Sequence, residues 1–231
     1  MELKSQIIQK IRVRQKLLED KELYLLWELA QRDPLVFLDN FVWTYDPLYD
    51  FSSNDIAERP FTIKPYIPIL VDLWQNERLL LVAKSRKMCI SWLFIALYVW
   101  EAIVQKRRYT FFQSVNETDA GSFKIDSLLA RAKFIIDGLD ERIRPFYEES
   151  QTPPTIRFKE TDSIIHAVSQ ESTALRQKTP SGILADELAF QEYGAGAFGA
   201  VRPALGSTGK YTGISTPNGK EFFYRLYADE E

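Results

Sequence analysis

Two short apolar runs in this chain end in residues suited to phosphate and metal. The first, Leu79-Leu80-Leu81-Val82-Ala83, is followed by Lys84-Ser85-Arg86-Lys87-Met88-Cys89-Ile90-Ser91. The second, Ile183-Leu184-Ala185, is followed by Asp186-Glu187. Hydrolysis of a magnesium nucleotide needs backbone N–H groups facing phosphate, a hydroxyl for the ion, and a cation reaching the β- and γ-phosphates. Ser91, opening an apolar helix, supplies the hydroxyl, and the helix N-terminus supplies the N–H groups and their dipole. Lys84 can fold back over the phosphates, with Arg86 and Lys87 as the other cations. Asp186, closing a buried strand, can bind Mg2+ through water, and Glu187 can orient or deprotonate the attacking water.

In the usual eight-position phosphate loop, Lys84 would stand at the first glycine, Cys89 at the second, Ile90 at the lysine and Ser91 at the Ser/Thr position. The segment has no glycine, and its lysine is displaced to the start. Taken alone, residues 84–87 also fit a solvated basic turn, and Asp186-Glu187 fits an acidic loop capping the next helix. The two motifs in the expected order favour a nucleotide site over either plain reading. A third element, Gly213-Ile214-Ser215-Thr216-Pro217-Asn218-Gly219, is a strand ending in small hydroxyl residues and a turn. In a motor a γ-phosphate sensor sits there; otherwise it is a strand-to-helix turn. Arg176 faces a nucleotide, a neighbouring subunit or solvent. His166 reads as a buried or edge histidine. Cys89 has no base beside it in sequence and is assigned no nucleophilic role.

The elements that must position these residues alternate. Residues 2–31 read as an amphipathic helix, Asp33-Pro34 as the cap and first turn of another through Val42, and a polar loop follows to about Pro60. A helix over 67–74 leads into a continuous apolar strand, 79–83, of the kind buried on both faces of a parallel sheet. Then come a helix over 92–104, a strand over 108–114 and one helix over 118–136. A hairpin over 155–158 and 163–168, strands over 182–185 and 211–215, and a helix from 222 complete the series. This alternation predicts an α/β fold with a mostly parallel central sheet flanked by helices, its ligands at the carboxyl ends of the strands.

The 231 residues are 45% hydrophobic, enough for a substantial core. No apolar run approaches the roughly 18 residues of a membrane span. One cysteine and one histidine exclude an internal disulfide and argue against structural zinc. The net charge of −3 is not that of a dedicated nucleic-acid binder. Any grip on DNA therefore needs a local basic patch, a separate domain or neighbouring subunits.

The residues also resemble a known family, the large terminase subunits of tailed bacteriophages, over nearly the whole chain. The likeness rests on Trp43-Thr44-Tyr45-Asp46-Pro47, on the loop from Lys84 to Trp92, on Ile183 to Glu187 and on Ser215-Thr216-Pro217. It implies an ASCE-type P-loop NTPase core over 61–231 with an N-terminal helical lid segment over 1–60. It also implies ATP and Mg2+, a loop arginine at Arg86 that engages the phosphates or acts as an arginine finger, a metal and catalytic pair at Asp186 and Glu187, and coupling through Ser215, Thr216 and Pro217. The implied partners are double-stranded DNA, a portal protein and a small terminase subunit. The chain is expected to be monomeric alone and to form a ring on a procapsid in the host cytoplasm. Two features depart from the family pattern. Cys89 replaces the loop glycine, and Ile67 follows Tyr66 where the family often has an adenine-contacting glutamine. The nuclease domain of full-length members is expected to be absent from this chain. Alternative readings are a helicase-like ATPase and a nucleotide-independent assembly domain with a decayed loop.

Overall fold

The computed structural model describes residues 18–46, 57–123, 126–170, 178–220 and 222–228. Most of the predicted first helix, Pro47 and Arg176 lie outside these residues. Within them, helix α1 (Asp20–Arg32) is followed at once by α2 (Pro34–Phe41). The Asp33 carboxylate accepts the Leu35 N–H at 2.8 Å and Pro34 opens the helix, as the Asp-Pro pair predicts. The predicted loop that follows contains structure. Strand β1 (Trp43–Tyr45) pairs antiparallel with β2 (Glu58–Pro60), both too short to leave a periodic signal.

Helix α3 (Ile67–Asn76) leads to β3 (Leu79–Ala83), α4 (Ile90–Val104) and β4 (Tyr109–Ser114). The single helix predicted over 118–136 is two, α5 (Glu117–Gly121) and α6 (Leu128–Asp137). Ser127 starts the second by accepting the Ala130 N–H at 3.0 Å. Strands β6 (Pro154–Phe158) and β7 (Ser163–Ser169) form the predicted hairpin, and β5 (Tyr147–Gln151) adds an antiparallel strand that was not predicted. Strand β8 (Gly182–Asp186) runs into a 3-10 turn, Leu188–Phe190. Helix α7 (Gly194–Ala204), β9 (Lys210–Ser215) and α8 (Phe222–Tyr227) follow.

The sheet order is β3-β9-β8-β4-β7-β6-β5, parallel from β3 to β7 and antiparallel beyond. Strand β3 is therefore an edge strand and not the doubly buried one its apolar run suggests; Leu79 is 44% exposed.

Side chains alternate between two apolar layers. Leu80, Phe112, Leu184 and Ile214 join the larger cluster under α4, whereas Phe111, Ile183, Ala185 and Tyr211 join the smaller one under α7 and α8. Helix α4 is apolar on all sides and is correspondingly buried, with residues 93–99 at 0% exposure. Each large side chain so buried contributes roughly 1.5–3 kcal/mol. The Tyr98 hydroxyl fixes α4 to the sheet by donating to the Ile183 carbonyl at 3.1 Å, with Thr212 Oγ1 3.0 Å away. Beyond α4, α1 packs through the Trp100 indole N–H, which donates to the Ala30 carbonyl at 2.7 Å.

Candidate nucleotide site

The parallel arrangement brings the carboxyl ends of β3, β9 and β8 side by side. Ala83 is in register with Ser215, and Asp186 with Ile214. The Lys84 N–H extends the ladder by donating to the Ser215 carbonyl at 2.9 Å. Leu184 and Asp186 share a face of β8, so Asp186 is directed toward α4. There the Ser91 hydroxyl donates to Asp186 Oδ1 at 3.2 Å. The Glu187 backbone N–H also donates to Oδ1, at 3.0 Å. Asp186 is 7% exposed. Burial pushes its pKa above the ordinary aspartate value; the Lys84 charge is the largest opposing influence.

Glu187 stands just past the strand in the left-handed region, at φ +50°. That turn lets its carboxylate bridge β3 and β9. Lys84 Nζ pairs with Oε1 at 2.8 Å, and the Lys84 side chain is 9% exposed. Oε2 lies 3.4 Å from both Ser215 Oγ and Thr216 Oγ1, and 3.5 Å from the Thr216 nitrogen. Ser215 Oγ in turn accepts the Ala189 N–H at 3.0 Å. Lys84, Ser91, Asp186, Glu187, Ser215 and Thr216 are thus brought together at the ends of these strands. Pro217, next in the chain, is exposed.

The loop between β3 and α4 holds two non-glycine residues in the left-handed region, Lys87 at φ +63° and Cys89 at φ +58°. Such a conformation costs an ordinary residue about 1–2 kcal/mol. Cys89 therefore occupies the backbone conformation that the missing glycine would take. The loop is pinned from outside, because the Tyr66 hydroxyl donates to the Met88 carbonyl at 2.9 Å. Ile90 and Ser91 form the first turn of α4.

Residues 84, 85 and 87–92 line a cavity of about 300 Å³, faced by Thr44, Tyr45, Asp46 and Arg59 of the β1–β2 ladder and by Asp126 and Arg131. Arg86 is exposed and does not line it. Ile67, where an adenine-contacting glutamine is often found, is 1% exposed and belongs to the core. Sequence reading missed Tyr66, Arg59, Asp126 and Arg131. Their contributions come from tertiary placement, and only an aromatic residue just before a predicted helix hinted at Tyr66. His166 lies on β7, with its Nδ1 2.9 Å from the Tyr109 hydroxyl, and burial lowers its pKa. It does not line the cavity, as expected for a buried histidine.

Among the described residues no three His, Cys, Asp or Glu side chains cluster to hold a metal. An ion at this site would rest on the Ser91 hydroxyl and the Asp186 carboxylate. Two hard oxygen donors, with the other positions left to water and phosphate, suit Mg2+. No helix among the described residues is long and apolar enough to cross a membrane.

No family model matches the chain, and no curated protein matches it in sequence. Similarity is found at the level of structure. The large terminase of bacteriophage HK97 superposes with a TM-score of 0.66 at 11% identity, over 87% of this chain and 40% of that one. The large terminase ATPase domain of Thermus phage P74-26 gives 0.59 at 15% identity, over 72% of this chain and 70% of that domain. The large terminase of a thermophilic bacteriophage, solved with ADP and with ATP-gamma-S, gives 0.53 at 11% identity over 43% of its length. This chain thus spans less than half of the two longer proteins. At these identities the likeness establishes architecture alone: the chain has the mixed α/β fold, a mostly parallel sheet flanked by helices, of the phage large terminase ATPase domains.

Proposed function

We propose that this chain is the ATPase part of a viral DNA-packaging motor of the large terminase type. The observation that carries the reading is the Ser91–Asp186 contact, a helix-opening hydroxyl 3.2 Å from a buried carboxylate. That pair is the protein's share of a magnesium-nucleotide site. When bound, the ion would be held by Ser91 and Asp186 and would neutralise charge developing on the phosphates. Lys84, Ser85 and Lys87 supply cations and a hydroxyl around the phosphates, and the backbone of Met88, Cys89, Ile90 and Ser91 supplies N–H groups; Arg86, outside the cavity, would have to turn inward to join them. Lys84 moves from Glu187 to the phosphates. Glu187 then orients a water and takes its proton as the water oxygen attacks the γ-phosphorus; the bond from that phosphorus to the β,γ-bridging oxygen breaks, and ADP leaves with the electron pair. Ser215 and Thr216 hold the other carboxylate oxygen, and with Pro217 they pass the hydrolysis state toward DNA-gripping loops.

In this reading residues 1–60 form the lid segment and 61–231 the ATPase core, with Thr44, Tyr45, Asp46 and Arg59 covering the cavity. The partners are double-stranded DNA, a portal protein and a small terminase subunit, met in the host cytoplasm. A chain of net charge −3 would gain its hold on DNA by ring assembly, which sums weak basic patches and makes binding steeply salt-dependent. The fold likeness and the nucleotide complexes of the phage terminase support the reading.

Calorimetry and phosphate release test it. The wild-type chain is expected to bind Mg-ATP. Glu187→Gln should keep binding while hydrolysis falls about 10²- to 10⁴-fold, and Lys84→Ala should weaken both. Hydrolysis at the wild-type rate in both variants would refute the site assignment. No binding at millimolar Mg-ATP would favour an assembly domain with a decayed loop.

A further inference from the structure

Arg131 belongs to α6, which the sequence marks only as amphipathic, yet it lines the same cavity as Lys84, Lys87 and Ser91. Its guanidinium lies over the Trp92 ring, 5.5 Å from the centroid. Trp92 and Ser91 line that cavity too, so this cation and the hydroxyl that faces Asp186 open onto the same space. One nitrogen of the fork, Nη2, pairs with Asp126, while Nε is buried without a hydrogen-bond partner. Only 18% of the Arg131 side chain is exposed.

The surroundings hold this arrangement in place. Asp126 sits at φ +79°, and its backbone N–H donates to the Tyr45 hydroxyl at 3.1 Å. The Tyr45 ring packs edge-on against both Trp92 and Phe134, at 4.9 Å each. Arg59, the other arginine of the cavity, differs. Its side chain is 45% exposed and pairs with Asp46 at 3.2 Å, an exposed contact of small energetic weight. Arg131 is the desolvated one, stacked on an aromatic face with its fork incompletely used. A planar guanidinium in that setting is preorganised for an anion with paired oxygens, above all phosphate.

We propose that Arg131 is a further phosphate-contacting residue, which exchanges Asp126 for the terminal phosphates of a bound nucleoside triphosphate. The inference rests on the nucleotide reading above. Asp126 holds the guanidinium while no phosphate is present and, once abandoned, adds a negative charge near the phosphates. That competition gives the two residues opposite effects on affinity, which a purely structural ion pair would not produce.

The experiment measures binding of Mg-ATP-gamma-S and of adenosine to the full chain, with Lys84→Ala as the control. Arg131→Met, which keeps an apolar stem over Trp92, should weaken triphosphate binding roughly 10- to 100-fold and leave adenosine binding unchanged. Arg131→Lys should recover part of the loss. Asp126→Asn, tolerated at positive φ, should tighten triphosphate binding severalfold. Unchanged triphosphate affinity in Arg131→Met, while Lys84→Ala loses it, would overturn the assignment and leave the nucleotide reading standing. Weaker binding in Asp126→Asn would also overturn it, and this variant decides the matter if Arg131→Met does not fold. Failure of the wild-type chain to bind the triphosphate would remove the nucleotide reading itself and this inference with it.

Discussion

The two faces of the sheet are built to different standards, and the site takes one half of its chemistry from each. Under α4 the packing is dense: Tyr98, Leu93, Phe94 and Leu97 are fully buried, and Ser91 and Asp186 meet at the head of that layer. Under α7 the layer is thinner, with a glycine-rich helix and a smaller cluster around Phe198 and Phe222. Ser215 points to that side and accepts the Ala189 N–H. Asp186 ends β8 on the α4 side, while Glu187, turned into the left-handed region, reaches Lys84 and Ser215 together. Ser91 and Asp186 thus hang from the densely packed face, and the Glu187 carboxylate sits between it and the thinner one.

Substitutions on each face can break or sharpen this contrast. The largest effect is expected on the densely packed face. Asp186→Asn should lower magnesium-dependent nucleotide affinity about 10- to 100-fold, read by calorimetry with and without the ion. The wild-type affinity should also fall with acid at a pH above the ordinary aspartate range. Burial raises the Asp186 pKa, so protons compete with the ion for the carboxylate earlier than they would at an exposed site. Asp186→Asn should flatten that pH dependence.

A smaller effect is expected from Gly182→Ala, on the α4 side of β8. An added Cβ would stand 2.5 Å from the ring of the fully buried Tyr98. A loss of about 1–3 kcal/mol is expected in urea unfolding. The smallest effect, of opposite sign, belongs to Gly196→Ala in α7, where an added Cβ meets nothing within 4 Å. Replacing a helix-interior glycine there should stabilise the chain by about 0.5–1 kcal/mol. Equal destabilisation by the two alanines would erase the distinction between the faces.

The chemistry was more legible than the scaffold around it. Lys84, Ser91, Asp186, Glu187 and Ser215 could be read because each ends or opens an element with a strong local signature, and a parallel sheet gathers such ends. The far edge was harder. Strand β5, Tyr147–Gln151, carries the polar run Glu148-Glu149-Ser150-Gln151, which nothing local marks as a strand; only pairing with β6 makes it one. The break between α5 and α6 was hidden because Phe123, Leu128, Ala132 and Ile135 continue a helical stripe across it. Close packing at Gly121, where a Cβ would stand 2.7 Å from Pro154, is tertiary information that no stripe carries. Tyr66 and Arg131 escaped for the same reason, since their partners lie 22 residues away at Met88 and across α4 at Trp92.

The Lys84–Glu187 contact, at 2.8 Å, has a reciprocal consequence. If phosphate and Glu187 compete for one ammonium group, each must weaken the other's hold by the same factor. A substitution that strengthens the ion pair will then lower nucleotide affinity without touching the nucleotide. One that weakens the pair will raise it, while leaving the base less well placed in the empty protein. Affinity and idleness are set by the same contact, so neither can be tuned alone.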